Sequence, residues 1–156
     1  TKRLGFTLTV NSNNQTRVAI AENIKEQLSN FGIYVNIRYL AGDAFSSAIN
    51  NRDYEVAIVG IKLGYTPNLT TFFGEGNIAN YHNDEVSEIM QNISNTTDEG
   101  VLYEKYGRLY EIYLEEAPYI GLYRNTETII YNQGLVSNIK ANCFDIYHNI
   151  EKWYRQ

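Results

Sequence analysis

The spacing of the apolar residues changes repeatedly before residue 61, and this limits the folds open to the chain more than any other feature. From Leu4 to Val10 apolar and polar residues alternate, which is typical of a strand. From Thr16 to Phe31 the apolar residues recur every three or four positions, as on one face of a helix. Gly32 follows where a left-handed residue would end that helix.

The next three segments continue this pattern. Residues 33–40 alternate again, residues 44–50 predict one or two helical turns, and residues 54–61 are almost continuously apolar. A strand that is apolar on both faces is typical of a parallel sheet covered by helices. Right-handed crossovers place the first strand between the second and the third. We therefore expect an α/β fold, three-layered, with a mostly parallel sheet and strand order 2-1-3.

The second half of the chain is predicted to be mainly helical. Residues 84–94 form one helical stripe, and a capping box at residues 96–99 opens a second helix over residues 98–116. Pro118 ends that helix. Its inner face is predicted to include Leu102, Tyr106, Leu109 and Tyr113. Beyond it we expect extended pieces at residues 119–123 and 128–131, and then a tail without a clear period.

Composition narrows the class of protein. The chain has 156 residues, of which 44% are hydrophobic and 20% charged, so one folded domain is expected. The net charge is -5 and there is no cluster of Lys or Arg, which argues against nucleic acid as a partner. Cys143 is the single cysteine and excludes an internal disulfide. No apolar run approaches a membrane span, and the start, without Met or signal-peptide profile, suggests a piece of a longer protein.

A candidate binding site lies where the predicted strand order reverses. In open parallel sheets ligands lie beyond the carboxyl ends of the strands, here between the first and third strands. The loops at that point are residues 11–15 and 60–67, whose glycines, amides and hydroxyls allow close backbone approach. The candidate ligand-binding residues there are Ser12, Asn13, Gly60, Ile61, Lys62, Gly64 and Tyr65. The alternative is that the glycines serve only turn geometry and that residues 11–14 only cap a helix.

Catalysis has little support in the sequence. No nucleophile, base and orienting acid occur together near the predicted strand ends. His82 and His148 are far apart and outside any metal-ligand spacing, so both are interpreted as solvated loop residues. The first strand is not followed by the glycine series of a phosphate loop. We therefore expect a binding protein, without catalytic residues, metal or cofactor, and not an enzyme.

Four segments resemble a known family. Residues 19–35 resemble the "A-x-x-I-x-x-x-L-x-x-x-G-I-x-V" segment of bacterial extracellular solute-binding proteins of family 5, which include oligopeptide-, dipeptide- and nickel-binding proteins. Residues 53–60 resemble the family's third strand, which ends in Gly. Residues 77–86 resemble its "N-x-x-x-Y-x-N-x-x-V-D" segment, and residues 115–123 its "E-x-A-P-x-x-P-L-Y". The four matches occur in the family's order.

The resemblance implies a type II periplasmic-binding-protein-like lobe. Residues 1–131 would be the C-terminal solute-binding lobe, and residues 132–156 a tail that packs on a lobe missing here. The family captures a solute between two lobes and delivers it to the membrane permease of an ABC importer, outside the cell or in the periplasm. Contact with the membrane would come only through a lipid anchor on the missing N-terminal part. Tyr123, in the last matching segment, joins the ligand-binding candidates.

Two other functions are considered. The same fold could be the ligand-sensing domain of a transcription regulator, or the chain could be an unrelated small α/β enzyme using Lys62 or Tyr65. The sequence also departs from the family's peptide-binding pattern, because Gly64 stands where an acidic residue often meets the peptide's amino group, and Ile61 where Trp is common. We therefore expect Lys62 or backbone groups to meet a neutral or anionic part of the ligand.

Overall fold

The fold is given by a computed structural model that describes residues 4–62, 69–125, 129–132, 134, 136–140, 142, 145 and 147–155. The described residues form two compact units. The first contains residues 4–62 and 69–118, and the second contains those from residue 119 onward. The elements are β1 (Gly5–Asn11), α1 (Gln15–Ser29), β2 (Tyr34–Leu40), α2 (Gly42–Asn50), β3 (Val56–Ile58), α3 (Thr70–Phe73), α4 (Asp84–Ser94), α5 (Glu99–Glu116), β4 (Val136–Ser137), a 3-10 helix (Ile150–Lys152) and β5 (Tyr154–Arg155).

The sheet of the first unit confirms the predicted topology. β1 lies between β2 and β3 and is parallel to both. Strand β3 has only three residues, which is shorter than the predicted 54–61. One reason is that the backbone N–H of Thr7 donates to the Glu55 carboxylate, so that the hydrogen bonds between β1 and β3 begin only after it.

Adjacent residues of β2 have partners on opposite faces of the sheet. The hydroxyl of Tyr39 donates to Glu22 on α1. The guanidinium of Arg38, whose side chain points to the opposite face, lies 2.8 Å from the carboxylate of Asp53, just after α2. Because β2 and β3 lie on opposite sides of β1, right-handed crossovers place α1 and α2 on opposite faces of the sheet, which agrees with the predicted three layers.

The first hydrophobic core lies between the sheet and α1. Its buried members are Leu8, Val10, Ala21, Val35 and Ile58. Burial of one large apolar side chain contributes about 1.5–3 kcal/mol, so this cluster accounts for much of the stability of the α/β half.

The end of α1 is partly as predicted. Gly32 has a φ of 75°, the left-handed conformation expected of it. Phe31, which was predicted to lie on the inner face of the helix, is 81% exposed. The helix ends at Ser29, and the N–H of Ile33 turns back to the carbonyl of Leu28, so Phe31 lies on the turn and not on the helical stripe.

A second core joins α4 and α5. It buries Val86, Ile89, Leu109 and Ile112. Of the predicted inner face of α5, Leu109 is fully buried, whereas Tyr113 is only partly buried and Ile112 occupies the inner position beside it. The burial reflects packing against α4, which the spacing along α5 alone does not specify.

The predicted capping box at the start of α5 is wrong. Asp98 caps this helix, because its Oδ1 accepts hydrogen bonds from the N–H groups of Gly100 and Val101 at 2.8 and 3.0 Å. The other end is as predicted: Ala117 is left-handed with φ 42°, and Pro118 follows.

The described residues of the second unit form little regular structure. The predicted extended pieces contain no strand within residues 119–125 and 129–131; residue 128 lies outside the described part. Instead, the two-residue strands β4 and β5 pair antiparallel, with the 3-10 helix just before β5. Among the helices that the structure describes, none is both long and apolar enough to cross a membrane.

Candidate functional site

The loop after β1 forms one side of the predicted site. The N–H of Ser12 donates to the carbonyl of Leu40 at 2.8 Å, and the N–H of Asn13 donates to Oδ1 of Asn11 at 2.9 Å. Asn14 caps α1, because its Oδ1 accepts from the N–H of Arg17 at 3.0 Å. The capping role that sequence left open is thus present. The side chains of Ser12 and Asn13, partly buried and exposed respectively, lie at the carboxyl end of β1.

The residues after β3 lie on the same edge of the sheet, because β1 and β3 are parallel neighbours. Gly60 and Lys62 are exposed, and Ile61 is partly buried. Gly60 is not among the residues with positive φ, so turn geometry does not require a glycine there. A Cβ atom on Gly60 would lie 2.0 Å from Nη2 and 3.0 Å from Cζ of Arg17, so the glycine provides room for this guanidinium.

Arg17 is the residue of this edge that sequence analysis missed. It lies in the first turn of α1, and its guanidinium extends to the backbone of Gly60 after β3. Side chains of a helix tilt toward its N-terminus, so a long side chain in the first turn extends back over the strand ends. A long cationic side chain three residues after a possible capping Asn is the sequence feature that could have indicated this position. Arg17 and Lys62 give the edge two cations, and residues 11–17 and 60–62 contain no carboxylate.

The remaining candidates are placed as follows. Gly64 and Tyr65 lie outside the described residues. Tyr123 belongs to the second unit and is 49% exposed. His82 lies beside Asp84 on an exposed loop, with 3.1 Å between Nε2 and Oδ1, and His148 is also exposed. Within the described ranges, no three His, Cys, Asp or Glu residues are grouped as metal ligands.

Asn77, the first residue of the third matching segment, holds a loop together. It is 6% exposed. Its Nδ2 donates to the carbonyls of Gly74 and Tyr81 at 3.0 and 2.7 Å, and its Oδ1 accepts from the N–H of Tyr81 at 3.0 Å. The hydroxyl of Tyr54, just before β3, donates to the carbonyl of Ile78. This segment therefore fastens the loop to the start of β3, far from the carboxyl edge.

The end of that segment joins α4 to α5. Oδ1 of Asn83 caps α4 by accepting from the N–H of Val86, and its Nδ2 donates to Glu116 at 2.8 Å. Burial, together with a hydrogen bond to Glu116, raises the pKa of Tyr81 to about 12. The phenol is therefore neutral at physiological pH. This cluster has a structural role.

A groove also lies between α4 and α5. Its walls include Glu85, Arg108 and Glu111. Arg108 already pairs with both carboxylates, at 2.6 and 3.0 Å. The groove thus has no unpaired Arg side chain among its lining residues, in contrast to the edge that carries Arg17.

Comparisons with known proteins give matches of structure. No family model matches the sequence, and no curated protein does. Solved structures match with low sequence identity. The oligopeptide-binding protein AppA from Bacillus subtilis, in complex with a nonapeptide, has a TM-score of 0.72 at 24% identity over 99% of this chain and 32% of its own.

Two further structures have other ligands. NikZ from Campylobacter jejuni, in complex with Ni(L-His), has a TM-score of 0.68 at 17% identity, over 97% of this chain and 33% of its own. A mannohexaose-bound periplasmic oligopeptide-binding protein from Thermotoga maritima has a TM-score of 0.70 at 18% identity, over 88% of this chain and 28% of its own. The chain spans about a third of their length. These likenesses confirm the predicted α/β fold, that of a lobe of periplasmic binding proteins.

Proposed function

We propose that this chain is the C-terminal part of an extracellular solute-binding protein that captures a peptide-like or other small solute between two lobes for an ABC importer. The observation that carries the proposal is the match to AppA, in which 99% of the chain superimposes on 32% of a peptide-binding protein. The protein would work as a clamshell, whose closure over the solute is sensed by the membrane permease.

The first unit supports binding in preference to catalysis. Its ligand-facing edge contains short polar side chains, a glycine and two cations, and none of the residues described there pairs a nucleophile with a base. One edge of one lobe supplies only half of an enclosed site. We infer that Ser12, Asn13, Gly60, Ile61 and Lys62 form the half contributed by this lobe, together with Gly64, Tyr65 and Tyr123.

The exposed apolar residues of the second unit support a missing lobe. Ile120 and Ile130 are 78% and 92% exposed, and Tyr147 and Tyr154 are 59% and 58% exposed. A second lobe packed on these side chains would remove them from water. In our proposal residues 1–131 form the lobe, and the tail of residues 132–156 packs on the other lobe. The whole protein would be periplasmic or anchored outside the cell by a lipid on its N-terminal part.

The ligand is inferred to lack a free amino group anchored by this lobe. Residues 60–67 contain no acid, whereas Lys62 is basic. An ammonium group buried without a partner costs several kcal/mol, so a peptide amino terminus would be a poor fit for this loop. The matching structures hold a nonapeptide, a nickel–histidine complex and a mannohexaose, and therefore do not restrict the ligand class.

Calorimetric titration tests the proposal. The natural full-length protein should bind a peptide-like solute much more tightly than the 156-residue chain, because one lobe leaves half of the ligand in water. A submicromolar affinity of the chain alone would contradict the two-lobe site. N-acetylation of the peptide should change the affinity little. A helix-turn-helix encoded upstream would favour the regulator, and a signal peptide with a lipobox would favour transport.

A further inference from the structure

Three arginines of the first unit are partly buried, and they differ in their partners. Arg38 lies 2.8 Å from Asp53, and Arg108 lies 2.6 Å from Glu85. Among the described residues, no carboxylate lies within ion-pair distance of Arg17, and its guanidinium donates no hydrogen bond to them. Arg17 is therefore the partly buried arginine of this unit whose charge the described residues leave without a counterion.

The guanidinium of Arg17 lies in contact with Gly60. The guanidinium lies against the glycine, so closely that a Cβ atom there would lie 2.0 Å from Nη2. Contact with the backbone removes part of its hydration, so its attraction for an anion is weakened less by water than that of a free surface arginine.

The surroundings favour an anion. Arg17 lies at the carboxyl edge between β1 and β3, the position at which open α/β sheets bind their ligands. Lys62 follows Gly60 on the same edge, and residues 11–17 and 60–62 contain no acid. The planar guanidinium has several N–H donors in a geometry that matches the two oxygens of a carboxylate.

We propose that Arg17 is the anion-anchoring residue of this edge and binds a carboxylate group of the solute. The inference rests on the proposed function, because it takes this edge as the ligand-facing one, and it adds the chemical class of the group bound there. Gly60 belongs to the same site, since a Cβ atom there would require the guanidinium to shift.

The test uses the ¹⁵N-labelled 156-residue chain and three probes. These are sodium acetate, trialanine and trialanine amide, each titrated at constant ionic strength so that general screening does not contribute. The signals to follow are the Nε–Hε group of Arg17 and the backbone amide of Gly60. Acetate and trialanine should shift both signals with saturation. The amide, which lacks the carboxylate, should bind at least about fivefold more weakly.

Variants show whether the guanidinium is responsible. Arg17→Gln should remove the saturable shift of the Gly60 amide, and Arg17→Lys should keep part of it, because the charge remains but the fork is lost. Gly60→Ala removes no charge and should weaken binding less than Arg17→Gln does, because the flexible Arg17 side chain can move away from the added Cβ atom. Arg52→Gln is the matched control, because Arg52 is exposed, and should bind as the parent does. The remaining amide signals report whether each variant keeps its fold.

The outcomes separate this inference from the proposed function. The anchor is overturned if acetate and trialanine give no saturable shift, if the amide binds as well as trialanine, or if Arg17→Gln binds like the parent. Acetate bound at Arg17 with no peptide bound by the full-length protein would support the anchor and count against a peptide-like solute. Tight peptide binding by the full-length protein that is unchanged by Arg17→Gln would support a peptide-like solute and contradict the proposed role of Arg17.

Discussion

The two units of the chain bury their apolar residues very differently. The first unit contains two buried clusters, one under the sheet and one between α4 and α5. From residue 119 onward, every described residue whose exposure is defined is partly or fully exposed. Their apolar side chains include Ile130, which is 92% exposed, and Ile120, which is 78% exposed.

This difference separates what the chain stabilises by itself from what it presents to other molecules. In the first unit, the parallel strands and α1 enclose one core, and α4 and α5 enclose a second. In the second, two-residue strands give a short ladder with little apolar surface removed from water. Stability therefore belongs to the first unit, and mutations should show this directly.

The largest contrast is expected for apolar truncations. Leu8→Ala should lower the free energy of unfolding by about 2–5 kcal/mol, because Leu8 is 2% exposed and its loss leaves a cavity under α1. Ile130→Ala should change it by less than about 0.5 kcal/mol, since Ile130 is mostly in water. Urea unfolding followed by circular dichroism measures both. A similar loss in the two variants would mean that the second unit has a core of its own.

Buried and exposed amides give the second contrast. Asn77→Ala should cost about 1–3 kcal/mol, because three backbone groups of Gly74 and Tyr81 lose their partner in a buried loop. Asn132→Ala is the matched change in the tail. Asn132 is exposed and accepts a single hydrogen bond, from the N–H of Gly134 at 3.0 Å, so the expected cost is below about 0.5 kcal/mol. Equal costs would show that Asn77 does not hold its loop.

Helix caps give a smaller effect. Asp98→Ala should cost about 1 kcal/mol, since Oδ1 of Asp98 accepts from two N–H groups at the start of α5. Thr96→Ala should cost less, because the Thr96 hydroxyl accepts only the N–H of Asp98, outside the helix. The 3-10 helix of the tail has no side-chain cap at all. If Thr96→Ala proved the costlier change, the capping box predicted from sequence would be correct after all.

Periodic segments were predicted well because their pattern and their packing agree. The alternation of β1 and β2 and the crossover rule gave the order 2-1-3, and the left-handed Gly32 followed from its position after an apolar stripe. Phe31 and the inner face of α5 were predicted less well. Their burial depends on where a helix ends and which helix packs on it, and neither is local information.

The sequence predicted which edge of the sheet the candidate residues occupy, but not the contacts made there. The switch point between β1 and β3 follows from strand order, which places Gly60 at the edge. The role of Gly60 did not follow, because a glycine can serve a turn or a close contact and the sequence does not distinguish the two. The structure shows the contact, with Arg17. β4 and β5 were missed because strands of two residues have no period to detect.

The smallest expected effect concerns the ion pairs, which, within the described part of the chain, all lie in the first unit. A hydrogen bond from Arg108 lowers the pKa of Glu85 below its ordinary value. A carboxyl whose folded pKa is lowered contributes stability above its unfolded pKa of about 4.3. That stability is lost as the pH falls through the lower folded pKa.

Arg108→Gln should therefore raise the pKa of Glu85 toward its ordinary value and make unfolding of the first unit less sensitive to pH in the acid range. The carboxyl ¹³C shift of Glu85, followed against pH, measures the first effect, and urea unfolding above and below pH 4 measures the second. Both side chains are partly in water, at 42% and 49% exposure, so salt should shrink the difference between parent and variant. Arg52→Gln, which removes an exposed arginine outside this pair, is the control and should leave the pKa of Glu85 unchanged. An unchanged pKa in Arg108→Gln as well would mean that the pair does not form in solution, and that the acid sensitivity of the first unit arises elsewhere.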